Sequence, residues 1–356
     1  EDQQFEEVGF ALNDAILDGF LRGQLGFKGY VNSVTGAVGP NSWGAEGITQ
    51  VQKVAKAINA GTDIISGSSD PLPIIQAIEQ GLLTEAAVNE SVSLLLTEMM
   101  NLGLFEDPYV DPQNALDVVA NPEVQKLAYE AHQKSIVLLR NDKNLLPLKD
   151  AKLKGVKLYV EMFPGGTNGA STKGLIETIK KHDPSITITN NLNEATHAYI
   201  FVKPVQSNWD NNPRITVGPE TGITNVDRII EIQKTVPTIT SVNMTNPWVL
   251  DQIEPNAAAL IGTFGTKAEA IIDVIRGEFN PIGKLPFALP ASMEAVHNEV
   301  GDVPSFAPEE DPAYPYGNKS GDVYKYGFGL SYNQGKALGK PDHAGETGTP
   351  GHTAVK

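Results

Sequence analysis

A polar loop in the second half of the chain carries two acidic residues and a tryptophan that could do chemistry. Residues 203–222 follow a predicted strand and contain Trp209, Asp210 and Glu220. Open α/β sheets bind ligands in the loops that follow their strand ends. A carboxyl group there serves as a general acid when burial raises its pKa, and an indole offers a flat face to a ring. The alternative is a solvated loop with no chemical role.

The first half of the chain has a comparable set of side chains after two short predicted strands. Trp43 and Glu46 lie in the polar loop after the strand 29–33, and Ser66 follows the strand 62–65. We interpret Trp43 either as a residue that stacks on a ligand or as a half-buried anchor of its loop. Ser66 is a candidate ligand contact. Glu46 suits the start of the following helix, where a carboxylate interacts favourably with the helix dipole.

Apolar residues recur at helical spacing around these strands, so the first half alternates between helix and strand. Thr84 has the position of an N-cap, and we expect Asp63 to be buried and hydrogen-bonded. Two strands cannot close a barrel, which needs eight, so six strands lie outside this chain if these are barrel strands. The predicted helices cover residues 9–24, 48–60, 72–81 and a segment from 84 that stops at 102–108.

The rest of the chain divides by composition into three parts. Residues 107–150 are rich in Asp and Pro and are predicted to be a linker with a helix at 122–135. Residues 151–332 resume the α/β alternation, as in an open, doubly wound sheet. The tail 333–356 is rich in Gly, Lys, Pro and Thr, and we expect it to have no fold of its own. The strands predicted after residue 150 are 156–160, 187–190, 198–202, 238–242 and 258–261.

The overall composition excludes several classes of protein. A formal net charge of −16 argues against a nucleic-acid partner, which requires clustered Lys and Arg. The absence of Cys excludes disulfides and thiolate chemistry, and the six His have no metal-binding spacing. From these residue types we expect no metal and no cofactor. No run approaches the ~18 apolar residues of a membrane helix, so we expect no membrane association. Because the chain begins at Glu1 without Met, we expect an upstream segment that has been removed or lies elsewhere.

Seven short blocks of sequence resemble one protein family in the same order. The blocks are residues 29–33, 57–63, 102–105, 135–141, 145–147, 279–287 and 326–332. Together they resemble the C-terminal half of family 3 glycoside hydrolases. The resemblance implies an α/β fold in which residues 1–106 are the last strands and helices of a (β/α)8 barrel, the TIM barrel. An α/β/α sandwich with a mostly parallel sheet then occupies residues 151–332.

The same resemblance implies an exo-acting retaining β-glycosidase, most often a β-glucosidase. Such enzymes use two carboxyl groups, a nucleophile at the end of a barrel strand and an acid/base that the sandwich domain commonly supplies. Val34 stands at the position of the nucleophilic Asp, and it can neither attack carbon nor stabilise an oxocarbenium ion. Glu220 is the first candidate for the acid/base and Asp210 the second. The candidate sugar contacts are Trp43, Ser66 and Trp209.

Three functions remain open from the sequence. The chain can belong to a glycosidase that hydrolyses β-linked oligosaccharides or aryl glycosides, inactive in this form, with its N-terminal barrel half on another chain or in an omitted segment. It can be a pseudoglycosidase that binds a glycan without cutting it. The turn at residues 165–171 can bind a phosphate, although a flexible turn is the simpler interpretation. A secreted or periplasmic location is favoured, and a homo-oligomer is compatible with the sequence.

Overall fold

The computed structural model describes residues 5–39, 43–166, 171–206, 214–298 and 312–332. The chain divides into two units, which meet in the sequence between Val118 and Val119. Within the described ranges, no helix combines the length and the apolar character that crossing a bilayer requires.

The first unit consists mainly of helices, whose ends follow simple capping rules. The first long helix begins with a capping box, in which Thr49 and Gln52 accept each other's backbone amide. Thr84 accepts the amide of Ala87 at 3.2 Å, which confirms the predicted N-cap. The helices are α1 Gln50–Asn59, α2 Leu72–Glu79, α3 Glu85–Asn101 and α4 Pro112–Val119, preceded by a 3-10 turn Phe10–Leu12 and a π-helical segment Ala15–Gln24.

The two strands predicted in this unit reduce to a single point of pairing. Asn32 and Ile64 form an isolated parallel bridge, and no ladder extends from it. Parallel strands are stable when neighbouring strands and helices cover them, and two short segments alone cannot sustain a ladder. The helix predicted at 9–24 is also interrupted, and Gly19 and Gly23 lower the helix propensity of its second part.

A six-stranded sheet forms the centre of the second unit. The strands are β1 Val137–Asn141, β2 Leu158–Pro164, β3 Ile188–Thr189, β4 His197–Lys203, β5 Thr238–Asn243 and β6 Ala259–Thr263. Their order in the sheet is β1-β6-β5-β4-β2-β3, and every neighbouring pair is parallel except β1 with β6. The mostly parallel sheet expected from the alternating pattern is therefore present. The helices are α5 Pro122–Lys134, α6 Asp150–Leu153, α7 Thr172–His182, α8 Val226–Thr235, α9 Ala268–Arg276 and α10 Met293–His297.

Helices cover both faces of this sheet, so the core has two halves. On one face, α7 and α9 contribute Ile179 and Ile271 to a buried cluster. On the other face, α8 contributes Ile229, which packs in a cluster with Trp248. The strands β5 and β6 are buried along their whole length, as expected for strands covered on both faces.

Residues 137–141 correct our assignment of a linker to residues 107–150. They form β1, which pairs antiparallel with β6 from Val137 opposite Gly262 to Asn141 opposite Ala259. The physical reason is that residues 136–139 are almost fully buried, with alternate side chains in the two core clusters. The Asp- and Pro-rich composition of the residues before this run concealed the strand.

A buried carboxylate links β1 to the segment between β5 and β6. Glu254 is fully buried and accepts hydrogen bonds from Arg140 at 3.1 Å, Tyr324 at 2.8 Å and Tyr316 at 3.1 Å. Arg140 also forms a bidentate pair with Asp142 at 2.9 and 2.7 Å. Burial and the charge of Glu254 raise the pKa of Tyr324, so its hydroxyl keeps the proton that it donates.

We expect Glu254→Ala to destabilise the second unit by about 3 kcal/mol, because buried donors lose their acceptor and Arg140 loses one of its carboxylates. Tyr316→Phe removes a single donor and should cost about 1 kcal/mol. Urea unfolding followed by tryptophan emission, to which the buried Trp248 contributes, measures both values. Equal effects of the two substitutions would contradict this account of the network.

Candidate functional site

A cavity of about 380 Å³ opens beside Val34 in the first unit. Its volume lies within the range of small-molecule sites in proteins, about 300–1,000 Å³. The side chains of Val34 and Trp43 line this cavity and remain 59% and 55% exposed. The other walls are mainly apolar and include Phe10, Leu12, Leu17, Val31, Asn32 and Ala37.

Asp63 anchors the segment that ends at Val34. Its Oδ2 accepts the backbone amide of Val31 and the guanidinium of Arg22, each at 2.7 Å. Its Oδ1 accepts the hydroxyl of Ser91 on α3 at 2.8 Å. The Asp63 side chain is only 4% exposed. The expectation of a buried, hydrogen-bonded Asp63 is therefore confirmed.

Ser66 lies against the same segment, and its polar atoms are engaged within the chain. Its hydroxyl donates to Asn32 Oδ1 at 2.6 Å, and its amide donates to the Ser33 hydroxyl at 3.0 Å. The carbonyl of Ser66 accepts the amide of Gly36 at 3.1 Å. Ser66 therefore holds residues on both sides of Val34, and its hydroxyl proton is used by Asn32 while the hydroxyl oxygen can still accept a hydrogen bond.

The loop that presents Trp43 has an unusual backbone. Trp43 has a φ of 35°, a region that bulky residues rarely adopt, and Gly44 follows with a φ of 92°. Both carboxylate oxygens of Glu46 accept the Gly44 amide, at 3.1 and 3.0 Å. The amides of Glu46 and Gly44 lower the pKa of the Glu46 carboxyl. Our assignment of Glu46 to the helix start is wrong, because α1 begins at Gln50 and this carboxylate is used to close the turn.

In the second unit, the turn that contains Glu220 lies beside the ends of β2 and β4, where the strand order reverses. β2 pairs with β3 on one side and with β4 on the other, and ligands bind open sheets at such switch points. Gly165, just after β2, donates to the carbonyl of Lys203 at 2.7 Å. Val205 donates to the carbonyl of Thr221 at 3.0 Å, which ties the turn containing Glu220 to the end of β4.

The residues predicted from the sequence are distributed over both units. Val34, Trp43 and Ser66 come together in the first unit, whereas Glu220 belongs to the second. Glu220 is exposed, in contrast to the burial that we expected around a general acid.

Some predicted positions fall outside the described residues. They are Trp209, Asp210 and residues 167–170 of the turn considered for phosphate binding. In the described parts of the chain, no group of three His, Asp or Glu side chains is arranged to hold a metal ion.

Sequence reasoning missed two contributors to the cavity. Phe10 lines it with 71% of its surface exposed, and the predicted helix at 9–24 gave no indication of this role. Gly9 lies beneath Trp43, since a Cβ on Gly9 would sit 3.4 Å from Cε3 of the indole. The signal that could have revealed the turn is an acidic residue two positions after Gly44, because side chains of acidic residues often accept nearby backbone amides.

Known proteins share this architecture over nearly the whole chain. The chain is 32% identical over 348 residues to a probable β-glucosidase C of Aspergillus flavus, covering 92% of this chain and 50% of that protein. It is 30% identical over 339 residues to a periplasmic β-glucosidase/β-xylosidase of Dickeya chrysanthemi, covering 88% of this chain and 49% of that protein. The crystal structure of a β-glucosidase from Listeria innocua in complex with glucose aligns with a TM-score of 0.61 at 20% identity, covering 90% of this chain and 49% of that one.

The chain thus spans about half the length of the curated relatives it matches. Residues 136–332, more than half of the 356 residues, match the C-terminal domain of glycosyl hydrolase family 3. This domain begins one residue before β1, so the edge strand of the sheet belongs to the matched region. The chain therefore belongs to glycosyl hydrolase family 3.

Proposed function

We propose that this chain is the C-terminal portion of an exo-acting, retaining β-glycosidase of the β-glucosidase type. The observation that carries the proposal is the continuous similarity, over 92% of the chain, to a protein named as a probable β-glucosidase. The substrates are terminal β-linked sugars of oligosaccharides or aryl glycosides. The names of the relatives leave β-glucosides and β-xylosides as the two substrate classes to compare.

The activity requires an N-terminal barrel half, supplied on another chain or by a further segment. The relatives are about twice as long as this chain, which supports such a partner. Asn32 supports it as well, because its backbone amide and carbonyl have no hydrogen bond within the described ranges and can pair with another strand. On α3, only Ser91 is buried, while Val92 and Leu96 are more than 40% exposed. Apolar surface of this kind marks a contact with another element.

The isolated chain should self-associate through this uncovered helix. Leu96→Glu places a charge on the exposed apolar face of α3 and should shift the chain towards monomer, with little change in melting temperature. Glu98→Gln on the same helix is the matched control and should leave the association unchanged. Sedimentation velocity over a tenfold concentration range measures the effect. A wild-type chain that is monomeric throughout would contradict the need for a partner at this face.

Val34 determines the catalytic state that we propose for this chain. A retaining glycosidase needs a carboxylate that attacks the anomeric carbon and forms a covalent glycosyl-enzyme intermediate. The side chain of Val34 has no oxygen to form that bond, so this form of the chain is inactive or severely impaired. The proton transfers to and from the glycosidic oxygen are assigned to Glu220, with Asp210 as the second candidate. The assigned sugar contacts are Trp43, Ser66 and Trp209.

A pseudoglycosidase is the second candidate function. The observation that favours it is a cavity that retains an exposed Trp43 beside the exposed Val34. Such a protein binds a glycan without cutting it, and restoring a carboxylate does not make it an enzyme.

We also propose a secreted or periplasmic location. Two relatives support it by their names, the periplasmic β-glucosidase/β-xylosidase of Dickeya chrysanthemi and the periplasmic β-glucosidase of Salmonella typhimurium. The absence of Cys is compatible with this location and does not require it.

Val34→Asp should restore hydrolysis of an aryl β-glucoside when the chain is combined with a barrel half. We expect an increase of at least about a thousandfold over Val34, because the two-step covalent route becomes available. Val34→Asn is the matched control, since it has the shape of Asp without a nucleophilic carboxylate, and it should stay inactive. Release of the chromogenic phenol measures the rate.

The two candidate functions differ in the outcome of this experiment. Activity in the Asp form alone supports the glycosidase. No activity in any form, together with saturable binding of a β-linked oligosaccharide, replaces it with the pseudoglycosidase.

A further inference from the structure

We propose that a cavity at the N-terminal ends of β5 and β6 is an accessory binding site for a neutral monosaccharide. Pro237 and Ala258 line the cavity, and each directly precedes one of these two parallel strands. The turn that contains Glu220, by contrast, lies beside the carboxyl ends of β2 and β4. The inference rests on the proposed function only in choosing glucose and xylose among neutral polyols.

The cavity has the size and the mixed walls that one sugar ring requires. Its volume is about 440 Å³, which lies within the range of about 300–1,000 Å³ for small-molecule sites. Leu145 and Val236 contribute apolar surface, against which the C–H groups of a pyranose can pack. The polar groups on the other walls then decide which class of ligand fits.

Gln233 brings a hydrogen-bond acceptor without a partner to this cavity. The residue lines the cavity and is only 7% exposed. Its Nε2 donates to the Thr240 hydroxyl at 3.0 Å and to the carbonyl of Ile253 at 2.9 Å. Because a carbonyl can only accept, the nitrogen must face Ile253, and Oε1 lies on the other side of the amide. Within the described residues, Oε1 has no hydrogen-bond partner, so a ligand hydroxyl that reaches it supplies the missing donor.

The C-terminal end of α8 adds further acceptors to the same cavity. The amide of Val236 donates to the carbonyl of Ile232 at 3.2 Å, and Pro237 has no amide to donate. The carbonyls of residues 233–235 therefore receive no backbone amide in the parts of the chain that the structure describes. These three residues all line the cavity, which favours a ligand that can donate several hydrogen bonds.

The charges around the cavity favour a neutral ligand over an ionised one. Lys143 and Lys234 line it and disfavour a cation, while the Asp142 carboxylate is already bonded to Arg140 at 2.9 and 2.7 Å. The negative end of the α8 dipole and the net charge of −16 disfavour an anion. A neutral polyol satisfies both conditions, because its hydroxyls donate to the unpaired acceptors and accept from the two lysines.

The turn that carries Lys143 is held in an unusual backbone conformation. Lys143 has a φ of 50° and Asn144 a φ of 52°, in the left-handed region that side chains with a Cβ rarely adopt. The Lys152 ammonium donates to the carbonyl of Asn144 at 2.6 Å, and the amide of Asp142 donates to the carbonyl of Ala258 at 2.8 Å. Strain of this kind persists where the surroundings over-determine it, often at ligand sites. Here it keeps Lys143 at the rim of the cavity.

Backbone amide NMR of the labelled full chain tests the ligand class at this site. The probes are D-glucose, D-xylose, D-glucuronate and D-glucosamine, the last at a pH that protonates its amine. We expect the two neutral sugars to shift the amides of Lys143 and Val236 saturably, with a Kd on the order of 1 mM. Both ionised sugars should bind about threefold more weakly than glucose, because each meets one unfavourable charge. Reading these two amides excludes sugar bound elsewhere on the chain.

Three substitutions test the walls of the cavity. Gln233→Met keeps the length of the side chain without its amide and should weaken glucose binding about fivefold. Lys234→Ala removes an exposed donor and should weaken it about threefold, and Ala258→Leu fills part of the cavity and should abolish it. The last two variants carry the test if Gln233→Met does not fold. Lys180→Ala is the matched control, because Lys180 is exposed on α7 and should leave glucose binding unchanged.

The inference and the proposed function can fail separately. No saturable shift at Lys143 and Val236, an ionised sugar that binds as tightly as glucose, or unchanged binding in Ala258→Leu would overturn the accessory site. None of these results affects whether Val34→Asp hydrolyses glycosides with a barrel half. Conversely, glucose binding in this cavity by a chain whose Val34→Asp form never hydrolyses a glycoside would retain the accessory site and remove the glycosidase.

Discussion

The first unit depends on one buried carboxylate that serves three separate parts of the chain. Asp63 bonds the guanidinium of Arg22, the amide of Val31 and the hydroxyl of Ser91. A buried charge of this kind is stable when it is paired and its remaining lone pairs are occupied. The backbone that leads to Val34 is therefore set by a charge elsewhere in the sequence. Val34 itself is not among the hydrogen-bond partners of Asp63.

Much of the second unit could be predicted from the sequence, because its elements carry their own signals. The run at 238–242 is rich in β-branched residues, and β5 occupies almost the same residues. In the first unit, the N-cap at Thr84 could be predicted for the same reason, since one hydroxyl and one amide three residues later define it. The strand 137–141 was missed because the Asp- and Pro-rich residues before it concealed the apolar run that pairs with β6. Composition reports on neighbours in sequence and carries little information about such pairing.

The candidate site was less predictable because its parts depend on tertiary contacts. Among the described residues, the predicted strand 29–33 forms only the bridge between Asn32 and Ile64. Trp43 was recognised from its residue type, yet its presentation depends on Gly9 and Gly44, whose role is to leave space. A pattern of residue types shows side chains that are present. It does not show where a missing Cβ permits two segments of backbone to meet.

The turn that contains Glu220 connects the ends of two strands to the core of the second unit. Gly165 packs so closely on the carbonyl of Thr221 that a Cβ would lie 2.6 Å from it, and Val205 bonds the same carbonyl. The segment that follows β4 is thus hydrogen-bonded, through Val205, to the turn that precedes α8. The part of this stretch that the structure describes before Thr221 also belongs to the core, because Ile215 and Val217 are buried in the same cluster as Trp248. Substitutions at these two positions therefore change the packing of the sheet as well as the conformation of the loop.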